Sequence, residues 1–139
     1  MPGVERNTQQ RQAIHKVFQD ADRPLSPQEV VKAAKAMTPG VGLATVYRNI
    51  KSLVEGGQLV AVQIPGQPPL YELSGHTHHH YFRCRACGQV YNIHACPGDL
   101  APLIPKGFRL EDHWLVFSGV CSSCGKAGSR QGGRQRRQR

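Results

Sequence analysis

The sequence predicts an α+β protein in two parts: a winged helix-turn-helix domain, then a small α/β dimerisation domain built on a four-cysteine zinc site. Three observations predict it. Three helical apolar patterns follow one another across residues 8–55, two short apolar runs flank a Pro/Gly turn over 59–73, and two CxxCG units bracket residues 84–125.

The first helix is expected over 8–21 (TQQRQAIHKVFQDA), where Ile14, Val17 and Phe18 recur at helical spacing behind Thr8 as N-cap. The second opens at Ser26-Pro27-Gln28-Glu29. That run combines an N-cap serine, a proline at the first helical position and a glutamate placed to complete a capping box. Val30, Val31, Ala33 and Ala34 continue it, and it should stop before Thr38-Pro39-Gly40, since a residue ahead of proline avoids helical geometry. The third spans 43–55 (LATVYRNIKSLVE), with Leu43, Val46, Ile50, Leu53 and Val54 as its apolar stripe and Gly56-Gly57 as its stop. A strand over 59–64, a turn over 65–69 and a returning strand over 70–73 make a hairpin, the wing.

In such a unit the third helix enters the major groove of DNA. Off its apolar stripe it carries Thr45, Tyr47, Arg48, Asn49 and Lys51. Tyrosine packs on thymine methyls, asparagine pairs with adenine, and arginine and lysine reach guanine or phosphate. An ordinary amphipathic helix with a solvated polar face fits the same pattern.

In the second half, Cys84-Arg85-Ala86-Cys87-Gly88 and Cys121-Ser122-Ser123-Cys124-Gly125 are two knuckles of one form. A two-residue spacer lets both thiolates face one ion, and the glycine permits the tight turn. Four thiolates around Zn²⁺ leave no open position, which makes the site structural; a redox pair is the rival reading. The 33 residues between the pairs are too many for a compact ribbon, so strands are expected at 89–93 and 114–119, with a short helix near 100–104. So small a sheet has open edges that a second copy would cover, which points to a homodimer.

Just upstream lies a histidine run, HTHHHY (76–81). In an extended segment His76, His78 and His80 share one face, and His79 and Tyr81 the other. His78 and His80 can hold a divalent metal, completed from elsewhere by Asp99 and His113; a polar loop with loose metal affinity is the alternative. Cys96, beside His94, is the odd cysteine, readable as an extra ligand, a redox-sensitive thiol or a bystander.

Composition bounds the function. The net charge is +9, but residues 126–139 hold six of the 18 Lys/Arg and none of the nine Asp/Glu, leaving the first 125 residues at only +3. The tail reads as a disordered basic segment adding sequence-independent attraction to DNA. No run approaches the roughly 18 apolar residues of a membrane span, and no signal-peptide core is present. A cytoplasmic location, with reduced cysteines and no membrane partner, is the simplest expectation. Nothing reads as an enzyme: no nucleophile is paired with a base, and no carboxylate is placed as a general base beside the histidine cluster.

Taken together, GLATVYRNIKSLVEGGQLV (42–60), YEL with the histidine cluster and CRACG (71–88), and GFRLEDHWLVFSGVCSSC (107–124) resemble the ferric uptake regulator family of bacterial metal-responsive repressors. The resemblance covers the chain to about residue 125. It implies a winged-helix domain at 1–75, a metal-binding dimerisation domain at 76–125, a tail at 126–139, and metal-dependent repression at an AT-rich pseudo-palindromic operator in double-stranded DNA.

Residue by residue, the resemblance implies DNA contacts from Tyr47 and Arg48, with Arg6 and Arg11 near N-terminal contacts. It implies structural Zn²⁺ on Cys84, Cys87, Cys121 and Cys124, and a regulatory metal on His78, His80, Asp99 and His113. His80 stands where iron-type members commonly have aspartate, and a nitrogen-rich set suits Zn²⁺. A hinge site is matched by Glu72 and His79; Tyr81 and Pro24 replace the family's histidines, so His76 (or His15) substitutes or the site is weak or absent, and Ser74 stands where zinc-type members often have a cysteine. The expected function is a metal-dependent repressor of metal-homeostasis genes, with zinc as effector ahead of iron or manganese. An iron-dependent peroxide-sensing repressor is the alternative.

Overall fold

The protein, a computed structural model, is described over residues 2–128; the expected basic tail from 129 onward lies outside the described residues. The chain divides into two compact units between His79 and His80.

In the first unit, α1 (Pro2–Ala21), α2 (Pro27–Ala34) and α3 (Leu43–Glu55) precede the hairpin β1 (Leu59–Val62) and β2 (Leu70–Leu73). Helix α1 starts a turn and a half earlier than its apolar periodicity, because PGVERN carries no apolar stripe to announce it. The start of α2 forms as expected. Ser26 Oγ accepts from Glu29 N–H at 3.1 Å while Ser26 N–H donates to Glu29 Oε1 at 3.3 Å. Glu29 Oε2 also meets the Arg23 guanidinium at 2.6 Å, so one carboxylate ties the cap to the preceding loop.

Helix α3 ends in a Schellman turn. Gln58 N–H returns to Leu53 O and Gly57 N–H to Val54 O, with Gly57 at φ +74°, a left-handed geometry that glycine adopts freely. The core joins Ile14, Val17 and Phe18 of α1, Val30 and Ala34 of α2, and Val46, Ile50 and Leu53 of α3, with Leu25, Val41 and Leu59 closing it. Leu43 and Val54, expected on the same stripe, are exposed; the buried line is the narrower one through Val46, Ile50 and Leu53. Strands β1 and β2 pair antiparallel from Leu59↔Leu73 to Val62↔Leu70, and Leu25 bridges Tyr71 on the other side of β2. Strand β1 stops two residues short of its expected length.

The second unit is a three-stranded mixed sheet in the order β4-β3-β5. Strand β3 (His80–Cys84) is central, pairing antiparallel with β4 (Val90–Ile93) and parallel with β5 (Val116–Gly119). A single 3₁₀ turn (Ala101–Leu103) lies between β4 and β5, and α4 (Ser122–Gly128) follows the last strand. Gly119 lets the Phe82 ring pack closely, since a Cβ there would lie 2.9 Å from that ring and would have to displace it. This unit has little core of its own. Among the described residues only His80, Cys84 and Val90 are buried in it, while Leu103, Phe108 and Trp114 are 76%, 72% and 77% exposed.

Candidate functional site

Two groups of potential metal ligands form among the described residues. The first is Cys84, Cys87, Cys121 and Cys124, whose sulfurs all lie within 4.8 Å of one another. Local structure makes it. Cys84 ends β3, and Gly88 at φ +77° closes the knuckle through Gly88 N–H to Cys84 O and Cys84 N–H to Gln89 O, both 2.9 Å. Parallel pairing sets Gly119 beside Cys84, which delivers Cys121 two residues later, and Gly125 N–H donates to Cys121 O at 2.8 Å as α4 begins.

The Cys87 and Cys121 sulfurs are 3.9 Å apart, close to the roughly 3.8 Å edge of a tetrahedron of ~2.3 Å Zn–S bonds. Cys84 Sγ accepts N–H donors from Cys121 (3.3 Å) and Cys87 (3.4 Å), and these pull its pKa from 9.0 down to about 6. Cys121 is pulled down too, first by the backbone N–H of Cys124, whereas the neighbouring sulfurs of Cys121 and Cys84 push Cys124 up to about 12. Four sulfurs this close cannot all ionise unless a cation balances them. The donor set fits Zn²⁺. Sequence reasoning missed Tyr91, whose hydroxyl donates to Gln89 Oε1 at 2.8 Å and stands against the Cys121 sulfur, which pushes its own pKa to about 12. Nothing in QVYNI marks that role, because it depends on β3–β4 pairing bringing Tyr91 to the knuckle.

The second group is His78, His80, Cys96 and His113, with ligand atoms again within 4.8 Å of one another. His80 is buried at the start of β3, and His78 comes close through the chain itself, two residues before it. His113 lies just ahead of β5, its ring 5.0 Å from that of His80. The Leu115 N–H donates to His80 Nδ1 at 3.2 Å. Cys96 Sγ is 3.2 Å from His113 Nε2. Three of the four expected ligands thus converge. Asp99 is not in the group; its Oδ1 accepts the Ala101 N–H at 2.9 Å, at the start of the 3₁₀ turn.

In the first unit, buried Glu72 meets half-buried His79, Oε1 to Nε2 at 3.1 Å, and the His76 and His79 rings are 5.6 Å apart. These three do not converge on a common point as the other groups do.

On α3, Tyr47, Arg48 and Lys51 are exposed and line a groove with Ile50, Val54, Glu55 and Tyr71. Arg48 Nη2 donates to Thr45 Oγ1 at 3.3 Å, and Asn49 Nδ2 to Thr45 O at 2.8 Å, so the asparagine amide is turned back on its own helix. Arg11 lines a separate depression beside His15, Gln19 and Gln58, and the exposed Arg6 guanidinium lies against Gly40.

The sequence model of the Ferric uptake regulator family matches residues 4–118. The chain belongs to that family. Relatives named ferric uptake regulation protein include one from Bordetella parapertussis, 33% identical over 122 residues, covering 84% of this chain and 86% of the relative. Another, from Bacillus subtilis, is 32% identical over 125 residues, covering 84% and 83%. The solved ferric uptake regulator from Francisella tularensis with iron is 28% identical, covering 84% of this chain and 92% of its own, at a TM-score of 0.63. A zinc-bound manganese uptake regulator shares the fold at TM-score 0.71, with 24% identity over 85% of this chain and 94% of its own. As a member of this family the chain is a metal-responsive, DNA-binding transcriptional regulator, and no helix among its described residues is long and apolar enough to cross a membrane.

Proposed function

We propose that this regulator is a homodimeric repressor of metal-homeostasis genes whose effector is Zn²⁺. The observation that carries this reading is the meeting of three imidazoles, His78, His80 and His113, in a chain whose α3 exposes Tyr47, Arg48 and Lys51. Imidazole-rich sets favour Zn²⁺ over Mn²⁺, which prefers oxygen donors. Cys84, Cys87, Cys121 and Cys124 hold a permanent Zn²⁺, whose contribution is to the folding of the second unit. Glu72 and His79, with His76 beside them, form at most a partial hinge site.

The residues of this chain divide the work. Tyr47 and Arg48 contact base edges and phosphate, Lys51 and Thr45 support them, and Arg6 and Arg11 add phosphate contacts away from α3. Asn49 reads adenine only after giving up its bond to Thr45. A bound effector represses through a population shift: it favours the DNA-competent arrangement only by the margin with which it binds that arrangement more tightly. Dimer symmetry calls for a pseudo-palindromic, AT-rich operator, and a reducing cytoplasm keeps the thiols available.

The test is a titration of Zn²⁺, Fe²⁺ and Mn²⁺ into chelator-treated protein, with labelled AT-rich palindromic duplex as readout. Zn²⁺ should give operator binding at the lowest free metal concentration. Binding driven best by Fe²⁺ and abolished by peroxide would instead establish the peroxide-sensing alternative. Removing residues 126–139 should weaken binding and flatten its salt dependence while leaving operator preference unchanged.

A further inference from the structure

Resting on the reading of a regulatory site at the three histidines, we propose that Cys96, not a carboxylate, supplies its fourth ligand. The site is then a three-nitrogen, one-thiolate centre selective for Zn²⁺.

The geometry of the loop after β4 carries this. From Ile93 the chain runs through His94, Ala95 and Cys96, placing Cys96 Sγ 3.2 Å from His113 Nε2 and within 4.8 Å of the ligand atoms of His78 and His80. Ligands bound at ~2.0–2.3 Å in a tetrahedron stand roughly 3.3–3.8 Å apart, so closing on an ion needs only a modest contraction. Gly98 then turns the chain at φ +88°, and Asp99 faces the 3₁₀ turn instead, its Oδ1 committed to Ala101 N–H at 2.9 Å. The expected carboxylate is thus engaged at the 3₁₀ turn, and the thiol is the ligand. His80 is buried in the central strand and its Nδ1 accepts the Leu115 N–H, so it joins the set by releasing that bond, while the exposed Cys96 and His78 adjust around it.

The chemistry has a consequence for selectivity. A thiolate in place of a carboxylate softens the donor set, favouring Zn²⁺ and Co²⁺ and disfavouring Mn²⁺.

The experiment uses full-length protein carrying one Zn²⁺ per chain in the four-cysteine site, to which Co²⁺ is added, with retention of that zinc checked by elemental analysis. Wild type should bind one Co²⁺ with the visible bands of a tetrahedral site and a near-ultraviolet thiolate-to-Co²⁺ charge-transfer band. Cys96→Ser should lose the charge-transfer band, and Asp99→Asn should keep it. Loss of a ligand should weaken Zn²⁺ binding by at least the roughly 10–100-fold that loss of an outer-shell partner costs. Cys96→Asp should narrow the preference for Zn²⁺ over Mn²⁺.

If one Co²⁺ binds in a way that depends on His113 but shows no Cys96-dependent band, the thiolate assignment is overturned and the histidine site stands. If wild type takes up no second metal at all, both are overturned.

Discussion

Single residues decide the chemistry of this regulator, and Cys84 shows how. Its pKa is depressed from 9.0 to about 6 by the backbone N–H groups of Cys121 and Cys87. In metal-free protein its stabilising contribution is therefore full above pH 9.0 and lost as the pH falls through about 6. Cys124 is raised from 9.0 to about 12, so its contribution is full below 9.0 and lost as the pH climbs towards 12. The two together peak near pH 9. Because the raised Cys124 thiol must give up its proton to bind metal, chelator competition should show the zinc affinity of the four-cysteine site rising between about pH 6 and pH 9, and less steeply in Cys124→Ser. Equal slopes in the two proteins would remove the raised thiol as the cause. The knuckle cysteines were legible from spacing alone, because two residues between thiolates is a local constraint. Cys96 was not assignable, since nothing along the chain says that the loop after β4 returns to His113.

At the scale of elements, local signals worked where they were redundant. The capping box at Ser26 together with the proline at 27, and the glycine stop after α3, each reported a boundary, and both boundaries stand where expected. Strand β3 was harder: HYFRC is half histidine-run and half knuckle, and only its pairing on both edges makes it central. Helix α4 was hidden for a similar reason, because its first turn is also a metal knuckle. Two substitutions separate the units. Leu53→Ala, in the buried line of α3, should cost about 2–5 kcal/mol by denaturant unfolding of the first unit. Gly119→Ala should instead destabilise the second unit, because the new methyl meets the Phe82 ring, and Phe82→Leu should relieve much of that loss. If Gly119→Ala is harmless alone, the ring has room that the 2.9 Å approach denies.

The molecule as a whole joins a well-filled helical unit to one with very few buried side chains. Exposed Leu103, Phe108 and Trp114 beside so small a core leave an apolar surface that a second chain would cover, as a metal would tie the four cysteines. The melting temperature of zinc-loaded protein should therefore rise with protein concentration, as mass action requires of a dimer. Replacing Trp114 with serine should weaken that dependence and shift sedimentation towards the monomer. A concentration-independent melt in wild type would exclude this face as the one that is covered. The net charge was the least informative whole-chain property, since most of it belongs to the tail and not to the unit that carries α3.

The bond from Leu115 N–H to His80 Nδ1 sets a limit on what His80 can do. A neutral imidazole has one lone pair in its plane, and here a backbone amide already holds it. That lone pair can serve the amide or a cation, not both. Loading the histidine site must then free the Leu115 amide at the approach to β5, and its exchange with deuterium should quicken even as the unit around it becomes more stable. A local loosening inside a global tightening is the signature of a ligand borrowed from the fold's own hydrogen bonding.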